Sequence, residues 1–183
     1  MKIGTLGPKE TDSYRATIYW INKYMNNDFE IILFDAYEAL FCKLKNLDFI
    51  LMPVGYINRQ SKNYMAWVDF HFKYLKKLTI YTLFHLPTKE MLLVENSNPQ
   101  IDKAVIQAAT FELLKEANTE NCDIVYASSK PRALTLFLKE KYRYTICSSD
   151  DYYLRKKDID LIIRESFRPE MIWVVYKVNV GVE

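Results

Sequence analysis

Lys2-Ile3-Gly4-Thr5-Leu6-Gly7-Pro8-Lys9-Glu10-Thr11-Asp12-Ser13-Tyr14 is the stretch on which the fold of this chain turns. Residues 3–6 read as a short strand, Gly7-Pro8 as a turn, and Thr11 and Ser13 as the hydroxyl-bearing start of a helix. A helix N-terminus offers backbone N–H groups and the positive end of a dipole, which suits a carboxylate or phosphate. The bland alternative is that Thr11 and Ser13 only cap the helix.

The same strand–helix alternation continues through the chain. A helix is expected over 11–25, with Tyr14, Ile18, Ile21 and Met25 on its apolar face. Strands follow at 29–34 and at the apolar run 49–52, with a helix over 36–45 between them. Residues 54–69 read as a long polar and aromatic loop, and two more strands lie near 75–84 and 91–94. Glu95-Asn96-Ser97-Asn98-Pro99 marks the expected boundary.

Beyond it come strands at 103–106, 123–127 and 144–147 and helices over 110–117 and from Ser128 to about residue 141. Ser128 is the cap candidate of that helix, and Pro131 fits its first turn. Ser148-Ser149-Asp150-Asp151 opens another helix, residues 161–163 lead out of the unit, and strand 171–178 returns to the first sheet. Lobe one is therefore expected to span 1–95 plus 168–183, and lobe two 96–167. Such alternation predicts largely parallel sheets, with functional groups at the carboxyl ends of the strands. Three strand-to-helix turns carry hydroxyls there: Thr11/Ser13, Ser128/Ser129 and Ser148/Ser149. Each can be a simple cap, or together they can bind a small dianion.

Composition narrows the partners. The 183 residues are half hydrophobic and about a quarter charged, enough for one substantial core or two small lobes. A net charge of +2 with no basic stripe argues against nucleic acid, and Arg155-Lys156-Lys157 is flanked by aspartates as on an ordinary solvated surface. Cys42, Cys122 and Cys147 form no paired motif and read as buried reduced thiols, which implies a cytoplasmic location. No signal region or membrane span is evident, and two isolated histidines, His71 and His85, make no metal site. The 14 tyrosines and 10 phenylalanines supply core, with some left to enclose a ring-shaped ligand.

The opening stretch resembles the Gly-Pro-x-Gly-Thr-Phe-Ser motif of prephenate dehydratases, and the order of elements follows that family's catalytic domain across the chain. Ser128-Ser129-Lys130-Pro131-Arg132-Ala133 resembles its Ser-Thr-Ala-x-x-Ala helix start, and Thr145-Ile146-Cys147-Ser148 its Ala-Ile-Ala-Ser strand end. The resemblance implies an α/β fold of two α/β lobes with a central cleft, like that of periplasmic binding proteins. It also implies a cofactor-free lyase, a dianionic substrate such as prephenate, and a homodimer. The regulatory domain that usually follows in that family, and feedback by phenylalanine, are not expected.

Departures from the family sharpen the reading. Its Pro-Ile-Glu-Asn-Ser appears as Pro53-Val54-Gly55-Tyr56-Ile57, its Ser-His-Pro falls on Gln107-Ala108-Ala109, and its Leu-Pro-Ile-x-His on Leu86-Pro87-Thr88-Lys89-Glu90. The final Thr-Arg-Phe, which in dehydratases assists the departing hydroxyl and holds a carboxylate, falls on Met171-Ile172-Trp173. Prephenate decarboxylases of the bacilysin type look more similar at Thr5-Leu6-Gly7-Pro8, Gly55-Tyr56, Tyr64-Met65 and Met171-Ile172-Trp173.

Without an acid at the ring hydroxyl, CO2 can still leave if electrons enter the diene and a ring carbon is protonated. The product then keeps its hydroxyl. A general acid supplies roughly 10²–10⁴-fold, so its loss silences dehydration without abolishing binding. The resemblance thus points to Thr11, Ser13, Ser128, Ser129, Ser148 and Arg132 on the carboxylates, with Arg59 and Arg168 as rival cations. Tyr56, Tyr64, Met171 and Trp173 would enclose the ring, and Tyr56 or water would donate the proton. A divergent dehydratase and a non-catalytic binding module stand as alternatives, and Trp173 in a strand can equally be core.

Overall fold

The computed structural model describes residues 1–25, 28–59, 65–116, 122–155 and 160–179. In chain order the first elements are β1 (Lys2–Leu6), α1 (Asp12–Tyr24), β2 (Glu30–Phe34), α2 (Tyr37–Phe41) and β3 (Phe49–Pro53). Next come the short strands β4 (Ile57–Asn58) and β5 (Met65–Ala66), then α3 (Trp67–Lys73), β6 (Leu78–Pro87), β7 (Met91–Asn96) and β8 (Ile101–Gln107). The remainder is α4 (Phe111–Glu116), β9 (Ile124–Ala127), α5 (Lys130–Glu140), β10 (Tyr142–Ser148), α6 (Ser149–Arg155), β11 (Leu161–Phe167) and β12 (Glu170–Val178). Two compact units divide the chain, one formed by Met1–Tyr56, Met65–Pro87 and Glu170–Glu183, the other by Ile57–Tyr64 and Thr88–Pro169.

In the first unit the sheet order is β2-β1-β3-β12-β6. β1 runs parallel to β2 and β3, while β12 runs antiparallel to β3 and β6. Alternation along β3 and β12 sends Ile50, Met52, Val174 and Tyr176 to the face covered by Tyr37, Leu40, Phe41 and Phe70 of α2 and α3. Phe49, Leu51, Trp173 and Val175 point the other way, beneath Ala16 and Trp20 of α1. Gly4 permits α2 to lie close to β1: a Cβ there would stand 2.7 Å from Leu47 Cδ1 and 3.0 Å from Leu40 Cδ1.

The side of α1 that is buried differs from the expected one. Ser13, Ala16, Thr17 and Trp20 are buried, whereas Tyr14, Ile18, Ile21 and Met25 flank them half-exposed. Small residues around one tryptophan let the helix approach the sheet, and the buried hydroxyl of Thr17 is satisfied by donating to Ser13 O at 2.8 Å.

In the second unit the order is β11-β7-β10-β8-β9. β8 is parallel to β10 and β9, and β7 is antiparallel to β10 and β11. Ala133, Leu134 and Phe137 of α5 and Tyr152 of α6 cover Val94, Val105 and Cys147 on one face. Leu114 of α4 packs with Leu93, Ala104, Ile106 and Ile146 on the other.

Several expectations are corrected. Both sheets are mixed, not largely parallel, because β12 in the first and β7 and β11 in the second run against their neighbours. Residues 95–99 do not separate the units: the second unit begins at Thr88, not at 96. Glu95 and Asn96 continue β7, and the Glu95 carboxylate tolerates burial because Arg164, Arg143 and the Tyr144 hydroxyl converge on it. The expected loop over 54–69 contains the first turn of α3, where the Asp69 carboxylate accepts from the Ala66 N–H at 2.7 Å. Cys42 is exposed, Cys122 half-buried and only Cys147 buried; all three are free thiols. No helix among the described residues is long and apolar enough to cross a membrane.

Candidate functional site

In the first unit, the carboxyl ends of the parallel strands β1, β2 and β3 and the start of antiparallel β12 share one end of the sheet. Thr11 is the N-cap of α1. Its oxygen accepts from the Tyr14 N–H at 3.2 Å and its hydroxyl lies 2.9 Å from Leu6 O. Nearby, the buried Tyr37 and Thr5 hydroxyls both donate to Leu51 O, at 2.9 and 3.0 Å. Burial pushes the Tyr37 phenol well above its ordinary pKa, although Ser13 and Thr5 hydroxyls beside it act in the opposite sense.

Tyr56, just past β3, stands edge-on to Tyr37 with ring centroids 4.7 Å apart. Its hydroxyl donates to Glu38 Oε2 at 3.1 Å. Burial, and then the Glu38 carboxylate, raise its pKa, so it is a neutral phenol at ordinary pH. Met171 at the start of β12 lies against Gly55, where an added Cβ would meet its Sδ and Cε at 3.3 Å. This end of the sheet thus gathers Thr11, Ser13 and Tyr56, while Met171 lies half-buried against Gly55 and against the same core cluster as Trp173. Sequence reading missed Tyr37 and Glu38, whose signal was their place in the first turn of the helix after β2.

Trp173 belongs elsewhere. It is 1% exposed, packed in the core beneath α1, and its indole N–H donates to Leu86 O at 3.2 Å. Alternation along β12 puts Trp173 and Met171 on the same face, and core packing accounts for Trp173, the alternative that its place in a strand allowed. Tyr64 lies outside the described residues.

The second unit has a matching strand end, formed by the parallel strands β8, β9 and β10. Ser129, not Ser128, caps α5 by accepting from the Arg132 N–H at 3.3 Å. Ser128 is half-buried and the Arg132 side chain exposed. Pro131 brings no N–H and Ser129 occupies that of Arg132, so α5 offers an anion fewer donors than a bare helix start. The buried Ser148 hydroxyl donates to Asp151 Oδ2 at 2.7 Å. Burial, and then the Asp151 carboxylate, push the neighbouring Cys147 thiol up to about 12. The buried hydroxyl of Thr88 has no hydrogen-bond partner among the described residues.

The rival cations are placed differently. Arg59 donates to the Tyr126 hydroxyl at 3.1 Å and lies 5.0 Å over the Phe111 ring. Arg168 is exposed. Among the described residues, no three His, Cys, Asp or Glu side chains come together as a metal site.

No protein-family model matches this chain, and no curated protein matches it in sequence. Solved structures do. The prephenate dehydratase of Arthrobacter aurescens in complex with L-Phe superposes with a TM-score of 0.60 at 13% identity, over 100% of this chain and 62% of that one. The prephenate dehydratase of Staphylococcus aureus subsp. aureus Mu50 gives 0.56 at 15% identity, over 97% of this chain and 66% of the other. The periplasmic VFT2 domain of Bordetella pertussis BvgS gives 0.57 at 15% identity, over 97% and 80%. The fold is therefore the α/β fold common to prephenate dehydratases and periplasmic Venus-flytrap domains. This chain spans less than two thirds of the length of the two dehydratase chains.

Proposed function

We propose that this protein is a prephenate decarboxylase-like lyase: it removes CO2 from prephenate without aromatising the ring and leaves a dihydro-4-hydroxyphenylpyruvate for a specialised-metabolite (antibiotic) pathway. The observation that carries the reading is the start of β12, where a thioether, Met171, lies against Gly55 and Ile172 is exposed. The dehydratases that the chain resembles carry Thr-Arg-Phe at this segment. Their hydroxyl-assisting acid and their carboxylate-binding Arg are both replaced by apolar side chains here.

Ser13, Thr11 and the start of α1 on the first unit, and Ser128, Ser129, Ser148 and Arg132 on the second, are the proposed carboxylate-binding groups. Tyr56 is the proposed proton donor, with Glu38 as the carboxylate that holds its hydroxyl. An apolar wall favours loss of CO2, because water stabilises the starting carboxylate more than the charge-delocalised transition state.

Incubation of the purified protein with prephenate, followed by NMR of the products, tests the proposal. A non-aromatic keto acid that keeps the ring hydroxyl is expected. Phenylpyruvate would replace the reading with a divergent dehydratase.

A second reading, a non-catalytic binding module, draws on one observation: the hydroxyls of Thr11, Ser129 and Ser148 are all engaged within the fold. It predicts thermal stabilisation by prephenate with no turnover.

A further inference from the structure

The second unit holds a cavity of about 260 Å³ at the end of its sheet opposite to the strand ends described above. Its walls come from the last residue of β7, the final turn of α5 and the start of β11. β10 runs from this end, at Tyr142, to Ser148. Six steps of ~3.3 Å along that strand put roughly 20 Å between the cavity and the Ser148 hydroxyl. Phe137, Leu138 and Leu161 form the apolar part of the lining; Phe137 is buried and the two leucines are half-buried.

The polar part carries both signs of charge. Lys141 and Asp160 line the cavity, and neither side chain makes an ion pair among the described residues. Beside them, Asn96 is 4% exposed, and its Oδ1 accepts from the Asn98 N–H at 3.0 Å. That bond fixes the carboxamide, whose two amide N–H donors have no partner among the described residues. A buried carboxamide with free donors favours any acceptor that enters the cavity. Lys141 closes α5 in the left-handed conformation, φ 54°, so the negative end of the helix dipole also lies here and favours an ammonium.

We propose that this cavity binds a small zwitterion with an apolar side chain, the chemistry of a free aliphatic amino acid. Its carboxylate goes to Lys141 and the Asn96 amide, its ammonium to Asp160 and the end of α5, and its side chain to Phe137, Leu138 and Leu161. Size sets a further limit. Pockets for drug-sized ligands span about 300–1,000 Å³, so this one takes a smaller molecule. A peptide terminus would bring only one of the two charges, whereas a free amino acid brings both. The site shares no residue with the groups proposed to hold prephenate, so it stands or falls independently of that reading.

Proton–nitrogen correlation NMR of the full chain, titrated with L-leucine, tests this. Saturable shifts confined to residues 96–98, 137–141 and 160–161 are expected. Isocaproate and isoamylamine keep the leucine side chain with one charge each, and should bind about tenfold or more weakly, since each gives up a charged hydrogen bond. Asp160→Asn should weaken leucine while leaving isocaproate unchanged, and Lys141→Asn should weaken leucine while leaving isoamylamine unchanged. Both residues are exposed, and asparagine tolerates the left-handed backbone at 141, so the fold should accept either change. No shifts with leucine, shifts at Ser128, Ser129 and Ser148 instead, isocaproate binding as tightly as leucine, or leucine binding indifferent to both variants would overturn the proposal.

Discussion

Tyr56 and Trp173 show how differently two aromatic candidates resolve once their neighbours are known. Trp173 is held by core packing and by its bond to Leu86 O, so Trp173→Ala should cost about 3–5 kcal/mol of stability, as read from urea denaturation. Tyr56 is held by Tyr37 on one side and by Glu38 at its hydroxyl. If it delivers the proton, Tyr56→Phe should lower kcat on prephenate by about 10²-fold, with a smaller effect on KM. A loss below about fivefold would assign the proton to water. Buried phenols also make a prediction about pH. Tyr176 is pushed by burial from its ordinary value near 10 to about 12, and Tyr37 and Tyr56 are raised as well. A raised folded-state pKa means that the unfolded chain loses its proton first, so stability is full below about pH 10 and falls as pH rises toward 12. Urea midpoints measured between about pH 8 and pH 11 should decline through this window, and a flat profile would contradict the burial of these rings.

At the scale of elements, caps and strand ends carry the testable content. Ser129→Ala should destabilise the protein by about 1 kcal/mol, since it leaves the Arg132 N–H without its acceptor. Ser128→Ala should stay within about 0.5 kcal/mol, which separates the two adjacent serines in a denaturation series. Both are plausible caps in the sequence; only the backbone distinguishes them, because Ser129 alone aims its oxygen at the first turn. The start of β12 is where the proposed function can be tested. Met171→Thr with Ile172→Arg should restore some dehydration, seen as phenylpyruvate by NMR, and its complete absence from a folded variant would remove that segment from the site. Strand positions were largely legible from apolar runs, and β1, β3, β9 and β12 lie close to where those runs place them. The face of α1 was not legible. Small residues beside a tryptophan carry little apolar signal, yet they are what lets the helix approach the sheet.

At the scale of the whole molecule, each unit buries its own helices against its own sheet. The three tryptophans, Trp20, Trp67 and Trp173, all lie in the first unit. Tryptophan fluorescence therefore reports that unit, while far-UV circular dichroism reports both. A core change in the second unit, Leu134→Ala, should lower the dichroism midpoint by more than the fluorescence midpoint. Equal shifts would mean that the two units unfold as one. The sequence by itself determined the alternation of strands and helices, the α/β class and the return of the last strand, because these are written in local apolar periodicity and residue identity. Only the tertiary structure decided that β7 belongs to the second unit, that Trp173 is core, that Glu38 meets Tyr56 and that Asn96 and Asp160 line one cavity. Each of those depends on strand order and cross-strand register, which join residues far apart in the chain and leave no periodic trace within it.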